Sequence, residues 1–272
     1  EETERFELMR DLETLVAIEA DVVLAITKQV ADELVDRGVD REKILLAPNA
    51  VNTRRFVPIP VDQSYKQTKG ILSEGPVIGF AGSLVEYEGL DLLIEASEAL
   101  GKEGIDHQVV IAGSGSAESN LRQLAANLPH SKVRFLGRLP QSEVPRLMSV
   151  FDVVACPRHS QRITELVSPL KPLEAFASGK ATLLSDVAPN VDLSGPVDRP
   201  RAATFKSGDL ESLTATLKTL IEDSEIRGEL GRRARLWAVE QRTWEAIGQT
   251  MCVALAEANR RYAACVLSLI HI

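Results

Sequence analysis

From Pro76 onward, short apolar runs alternate with longer amphipathic stretches, and that alternation leaves few folds open. PVIGFAG (76–82), HQVVIAG (107–113), KVRFLG (132–137), DVVAC (152–156) and KATLLSD (180–186) are strand-like runs. Between them lie GLDLLIEASEALG (89–101), SAESNLRQLAANL (116–128), SEVPRLMSV (142–150) and PLKPLEAFASG (169–179), whose apolar residues recur at helical spacing. Strands that are apolar on both faces and separated by helices belong to a parallel sheet covered on both sides. Right-handed crossovers then make an α/β, Rossmann-like, doubly wound parallel sheet the expected architecture.

The residues before and after this block are also patterned. Residues 2–19 carry Phe6, Met9, Leu12, Leu15 and Val16 at helical spacing. ADVVLAIT (20–27) and KILLAPN (43–49) read as strands, with Thr27 as the N-cap of a helix that Gly38 ends. The polar stretch from Pro58 to Gly75 reads as a linker or surface loop. After Gly208 the pattern is helical: one helix starts near Asp209, a second is capped by Ser224, and a third runs from Thr243. The apolar end, CVLSLIHI (265–272), is too short for an anchor and reads as a disordered end or a remnant foreign to the protein. The chain opens on acidic EETERFELMRDLE rather than on Met or a signal peptide, so it is expected to begin within a longer protein or after processing.

Composition narrows the partners. The chain has 272 residues, is 44% hydrophobic and carries a net charge of −8, which disfavours nucleic acid and anionic lipid as bulk partners. Aromatic residues are only 4%, so Leu, Val, Ile and Ala must fill the core. Cys156, Cys252 and Cys265 lack metal-site spacing and read as small apolar fillers. Four scattered histidines suggest no zinc site, and no carboxylate cluster calls for magnesium.

In such a sheet, ligands bind beyond the carboxyl ends of the strands, so the strand-to-helix loops hold the candidates. Gly82 allows close backbone approach and Ser83 offers a hydroxyl, unless the pair is a plain turn. AGSGSAE (112–118) contains G-x-G at Gly113 and Gly115 but Glu118 where a dinucleotide fingerprint needs glycine, so it suggests close approach rather than NAD. Arg138 and Leu139 project toward the sheet edge or form a solvated turn. The segment 157–179 is the most informative. Arg158, Arg162 and Lys171 surround a polar loop entering a helix, with Ser168 expected at N-cap and Pro169 at N1. The Leu170 and Lys171 amides would then face a diphosphate at the positive helix end. Glu174, one turn in, can accept two hydrogen bonds from a ribose cis-diol, or fold back as a capping box.

These residues resemble a known family. Segments 76–98, 109–158 and 165–180 are similar to the C-terminal domain of family 4 glycosyltransferases, which have the GT-B fold. Residues 19–58 resemble that family's interdomain crossing, with its Asn-rich turn and F-x-P, and 208–237 its closing helices. The most specific element is TELVSPLKPLEAFASGKATLLSD (164–186), which looks like a branch acting in bacterial exopolysaccharide and cell-surface glycan assembly. The resemblance divides the chain into an N-terminal-domain remnant with the crossing (1–57), a nucleotide-sugar-binding domain (58–242), and a C-terminal helix and tail (243–272). It implies that Glu174 holds the ribose, that the backbone at Ser168, Pro169 and Leu170 meets the diphosphate, and that Gly82 and Ser83, with Gly113 in the next loop, lie along the donor. Arg138 and Leu139 would sit near the base, and Glu165 would be the catalytic acid touching the donor sugar. Two departures stand out. Eight residues separate Glu165 from Glu174 instead of seven, which bears on Glu165 more than on Glu174. Ser83 and Glu88 occupy places where the family often has Arg and Lys, so Arg158, Arg162 or Lys171 must supply the positive charge.

The implied activity is transfer of a sugar from a nucleotide-diphosphate donor to an acceptor hydroxyl with retention. It needs no cofactor or metal, because helix amides and cations stabilise the departing diphosphate. The acceptor, a glycan or a lipid-linked sugar, would dock on an N-terminal half outside the chain. The enzyme would be cytoplasmic, with at most peripheral contact at the inner membrane. Two alternatives remain open: a sugar-nucleotide epimerase of the same architecture, drawing on Glu165 and His159, or a non-catalytic sugar-nucleotide-binding module.

Overall fold

The computed structural model describes residues 2–71 and 75–270, with side chains described for residues 4–71 and 75–260. The chain opens with helix α1 (Glu2–Glu19), strand β1 (Val23–Ala25), helix α2 (Lys28–Asp36) and strand β2 (Ile44–Leu46). β1 and β2 pair in parallel. Thr27 caps α2 as its sequence position predicts, its hydroxyl accepting from Val30 N at 3.1 Å. The same hydroxyl donates to Leu166 O at 2.6 Å, so one side chain caps the helix and ties this unit to the rest of the chain. α1 forms, but its apolar face is not buried: Phe6, Met9, Leu12, Leu15 and Val16 are all exposed, and only Ala17 joins the small core around Ala31, Leu34 and Ile44.

Residues 58–71 are not a free linker. Helix α3 (Gln63–Thr68) forms there, because Asp62 accepts from Tyr65 N at 2.8 Å and Tyr65 is buried. Arg146 lies 4.7 Å from the Tyr65 ring centre and donates to Asp62 at 2.7 Å. Burial pushes the Tyr65 phenol up to about 12. A lone tyrosine and a helix of six residues leave no periodic pattern to read in the sequence.

The main sheet then builds as β3 (Val77–Ala81), α4 (Leu90–Lys102), β4 (Gln108–Ala112), α5 (Glu118–Asn127), β5 (Val133–Gly137), α6 (Val144–Ser149) and β6 (Val153–Cys156). It continues through α7 (Arg162–Leu166), α8 (Lys171–Ala177), β7 (Ala181–Ser185), α9 (Ala188–Ser194) and β8 (Ala203–Phe205). Two long helices, α10 (Leu210–Glu222) and α11 (Ser224–Gln241), precede α12 (Trp244–Ile270). All the strand pairings are parallel, in the order β5-β4-β3-β6-β7-β8. The chain winds outward from β3 to β5, returns to the centre at β6, and winds the other way to β8. That reversal between β3 and β6 opens a crevice at their carboxyl ends. The fold expected from the sequence is therefore the fold observed.

Period-2 alternation divides the core between the two faces. Ile78, Phe80, Val109, Ile111, Val153 and Leu183 pack with residues of α4, α5 and α10. Val77, Val110, Val154, Cys156 and Leu184 pack with residues of α6, α8 and α11. Gly79 lets the sheet receive Phe151, since a Cβ there would lie 2.2 Å from that ring.

Several local expectations change. α7, α9 and β8 are short elements without a readable period. Asp223, not Ser224, caps α11, accepting from Glu225 N and Ile226 N at 2.9 Å. The backbone of α12 is helical through Ile270, so residues 265–270 are not a disordered end, while 271–272 lie outside the described residues. Cys156 is a buried filler whose thiol burial pushes up to about 12, whereas Cys252 is exposed.

Thr27 gives the first testable prediction. Thr27→Val keeps the volume and deletes both hydroxyl bonds, which should cost about 1–3 kcal/mol of unfolding free energy by urea denaturation, the sum expected for a cap and a hydrogen bond. Thr27→Ser should stay near wild type.

Candidate functional site

Glycines draw the loops after β3, β4 and β5 together. Gly113 has a φ of +142°, and a Cβ there would sit 1.8 Å from the Gly82 carbonyl. Gly82 N donates to Ala112 O at 2.9 Å, Gly113 N to Gly137 O at 2.8 Å, and Leu84 N to Ser114 O at 3.0 Å. Bare backbone thus lines the carboxyl edge of three adjacent strands. A cleft of 550 Å³ opens over it. Its walls include Gly82 and Ser83 on one loop, Gly113 and Ser114 on the next, Arg138 and Leu139 on the third, and Glu174 from α8. Phe56, Gln141, Val144 and Leu147 complete its mouth and apolar side. A cleft of this size, with few polar groups converging on apolar walls, suits a small ligand.

Glu174 sits on the cleft wall without a donor to its carboxylate among the described residues, and α8 has no side-chain cap, so it is not a capping box. Burial raises its carboxyl above the ordinary 4.5, opposed by the positive charges of Arg55 and Lys171. α8 begins later than the sequence suggests. Leu170 is the N-cap and Lys171 the first helical residue, so Ser168 does not cap and Pro169 is not N1. The cause is Pro172. A helix starting at Pro169 would need the N–H that Pro172 lacks to bond the Ser168 carbonyl. That carbonyl instead accepts from Asn49 Nδ2 at 3.0 Å.

The three candidate cations separate. The Lys171 side chain crosses directly over Gly82, where a Cβ would fall 2.1 Å from its Cε. Its ammonium donates to Glu88 Oε1 at 2.7 Å. Arg158 is buried behind it, donating to Glu88 Oε1 at 3.2 Å and to Val167 O at 3.0 Å. Gly89 brings these loops together: its φ is +70° and the Pro157 carbonyl lies where its Cβ would be. Glu88 therefore carries no positive charge itself but gathers two residues that do. Arg162 points elsewhere and pairs with Glu33 on α2.

Glu165 is also engaged away from the cleft. Its carboxylate accepts from Ser160 Oγ at 2.6 Å and from Ala188 N, at the start of α9, at 2.9 Å. His159 bonds Asp91 at 2.8 Å. Of the residues singled out in the sequence, Gly82, Ser83, Gly113, Arg138, Leu139 and Glu174 line one cleft, with Lys171 and Arg158 behind its β3 end. Arg162, Glu165, Ser168, Pro169 and Leu170 are not among its lining residues. Phe56, Ser114 and Gln141 escaped the sequence reading; Pro172 was the available signal for the true start of α8.

A larger cavity of 1060 Å³ lies between α12 and the β1–β2 unit, lined by Asp21, Asp40, Lys43 and Val253 among others. None of its lining residues belongs to the six-stranded sheet or its loops, so it lacks the convergence seen at the cleft. Among the described residues no three His, Cys, Asp or Glu side chains gather to hold a metal ion. None of the described helices is long and apolar enough to cross a membrane.

Comparison with known proteins adds a second line. The profile of the family described as Glycosyl transferases group 1 matches residues 61–237. The GDP-mannose-dependent monoacylated alpha-(1-6)-phosphatidylinositol monomannoside mannosyltransferase of Corynebacterium glutamicum is 30% identical over 210 residues, covering 75% of this chain and 54% of that protein. The chain thus spans about half the length of the curated relatives it matches. Among solved structures, Anabaena Alr3699/HepE in complex with UDP-glucose superposes with a TM-score of 0.77 at 20% identity, covering 89% of this chain and 65% of that one. The C-terminal domain of a glycosyl transferase group 1 family protein (LpcC) from Francisella tularensis gives 0.60 at 21% identity, covering 71% of this chain and 99% of that one. At these identities the two structures speak to the fold.

The Glu174 carboxyl yields a pH prediction. A carboxyl raised by folding contributes stability that is complete below its unfolded value and lost as pH rises through the folded value. Glu174→Gln removes that loss. Its thermal midpoint should exceed wild type at pH 7–8 and converge with it as pH falls toward the ordinary 4.5. An advantage that persists undiminished below pH 4 would contradict the assignment.

Proposed function

The chain belongs to the group 1 glycosyltransferases, and on that footing we propose that it is the donor half of an enzyme transferring a sugar from a nucleoside-diphosphate donor to an acceptor hydroxyl with retention. The observation that carries the reading is one cleft with three chemically distinct parts. Glu174 offers an unengaged carboxylate for the ribose diol. The glycine backbone offers a seat for the diphosphate, with the positive charges of Lys171 and Arg158 behind it. Leu139, Val144 and Leu147 offer apolar surface beside Arg138 for the base.

In the proposed reaction the bond between the anomeric carbon and the diphosphate oxygen breaks, its electron pair leaving with the diphosphate. The acceptor oxygen joins the same face of the sugar, and its proton passes to the departing oxygen. Lys171 and Arg158 outweigh Glu88 by one positive charge (two cations, one carboxylate), so the seat is pre-aimed at the charge that develops on the leaving group. These side chains supply that charge without a metal or cofactor. Glu165 keeps a place in the proposal as the anchor of α7 to α9, close to the loop carrying Arg158, rather than as a group touching the sugar. The epimerase reading draws on Glu165 and His159, and both are committed to other partners.

The match covers about half the length of these relatives, and we assign acceptor binding to portions of the whole protein outside these residues. The acceptor class we propose is a glycan or lipid-linked sugar of bacterial surface or exopolysaccharide synthesis. The work would be done in the cytoplasm or at the inner membrane's cytoplasmic face. The donor binding should be measurable on the chain in hand.

Calorimetric titration with UDP-, GDP- and ADP-sugars should find one that saturates. Against that ligand, Glu174→Ala should weaken binding by about 1.5–3 kcal/mol, the range for hydrogen bonds to a charged group. Unchanged affinity in a folded variant would reject the ribose assignment. Lys171→Met should weaken binding of the diphosphate by a similar amount, about 1.5–3 kcal/mol, and leave the parent nucleoside near wild type. Equal losses for both would reject the diphosphate assignment.

A further inference from the structure

Glu88 is an unusual residue to find beside an anion seat. Its side chain is 3% exposed, and only one of its oxygens is used. Oε1 accepts from both Lys171 and Arg158, while Oε2 is buried with no partner among the described residues. The two cations are not equivalent. The Arg158 side chain is 8% exposed and is also fixed by the Val167 carbonyl, so it neutralises Glu88 from inside the protein. The Lys171 side chain is 20% exposed and passes over the cleft-lining Gly82, and Glu88 is the one hydrogen-bond acceptor of its ammonium among the described residues. A lysine has three N–H donors on a flexible stem. With one held by Glu88, two remain for a ligand.

We propose that Glu88 is a positioning residue for the donor diphosphate: it holds the Lys171 ammonium over Gly82 at the carboxyl end of β3, while Arg158 cancels its own charge. The assignment rests on the donor-binding reading above. It makes a prediction that simple charge counting reverses. Removing a carboxylate beside an anion seat raises the net positive charge and should tighten diphosphate binding. If Glu88 works by positioning, its removal weakens binding instead.

The experiment is a calorimetric cycle. The probe is whichever of UDP, GDP or ADP the wild-type chain binds, run beside the matching nucleoside. Glu88→Gln should lose about ten-fold or more in diphosphate affinity, the scale of one charge-assisted hydrogen bond, with the nucleoside unaffected. Glu88→Asp should recover part of the loss. In a Lys171→Met background, Glu88→Gln should add little, because the ammonium it positioned is gone. If the Gln variant does not fold, Glu88→Asp is the second route. It keeps the charge but draws the ammonium back, so the diphosphate should still bind less tightly than in wild type, with the nucleoside unchanged. Wild-type diphosphate affinity in that variant would overturn the proposal. Diphosphate binding equal to or tighter than wild type in Glu88→Gln would overturn the proposal. So would a loss that persists in full without Lys171, or one shared equally by the nucleoside. A wild-type chain that binds none of the three nucleotides would instead remove the donor reading, and this role with it.

Discussion

One carboxylate oxygen, Glu88 Oε1, joins two cations from a different loop at the carboxyl end of the central strand. The arrangement depends on the sheet in every detail. Glu88 follows β3 in a tight turn, Arg158 follows β6, and Lys171 opens α8, the helix between β6 and β7. Those strands are neighbours because the winding reverses between β3 and β6. The ion pairs therefore exist only where the topology creates a crevice. A buried carboxylate with one unbonded oxygen is costly in isolation. The compact loops, zipped by Gly82, Gly89 and Gly113, hold it in place by leaving no room for alternatives.

The main domain was legible because both of its periods are long enough to read. Val109, Val110, Ile111 and Ala112 report a strand buried on both faces, and the Leu90–Leu100 pattern reports a helix covering it. What escaped reading was short or held by distant contacts. α3 depends on Tyr65 meeting Arg146, a residue about eighty positions away. α7 and α9 have too few residues for a period and are tied together by Glu165 and Ala188 N. Asp223 and Ser224 are both good caps, and local sequence does not rank adjacent candidates.

The lining of the cleft was legible residue by residue but not as a geometry. Gly82, Ser83, Gly113, Arg138 and Leu139 fall on loops, and Glu174 on the first turn of a helix, that a parallel sheet brings to one edge. The cations did not sort themselves in sequence, because Arg158, Arg162 and Lys171 look alike on paper. Only packing sends Arg162 to Glu33 and the other two to Glu88. Pro172 moves the start of α8 past Ser168, turning an expected cap into a carbonyl that holds Asn49. Family membership rests on sequence along residues 61–237, and the cleft on thirteen lining residues, two of them glycines.

The central claim is that a nucleoside diphosphate lies along this edge of the sheet. Hydrogen–deuterium exchange with and without saturating UDP, GDP or ADP tests it directly. The account predicts that the nucleotide slows exchange in the backbone at 82–84, 113–115, 138–144 and 171–175, and leaves the larger cavity at 40–45 and 249–258 unchanged. Protection at the second set alone, or no protection with any of the three, would contradict it.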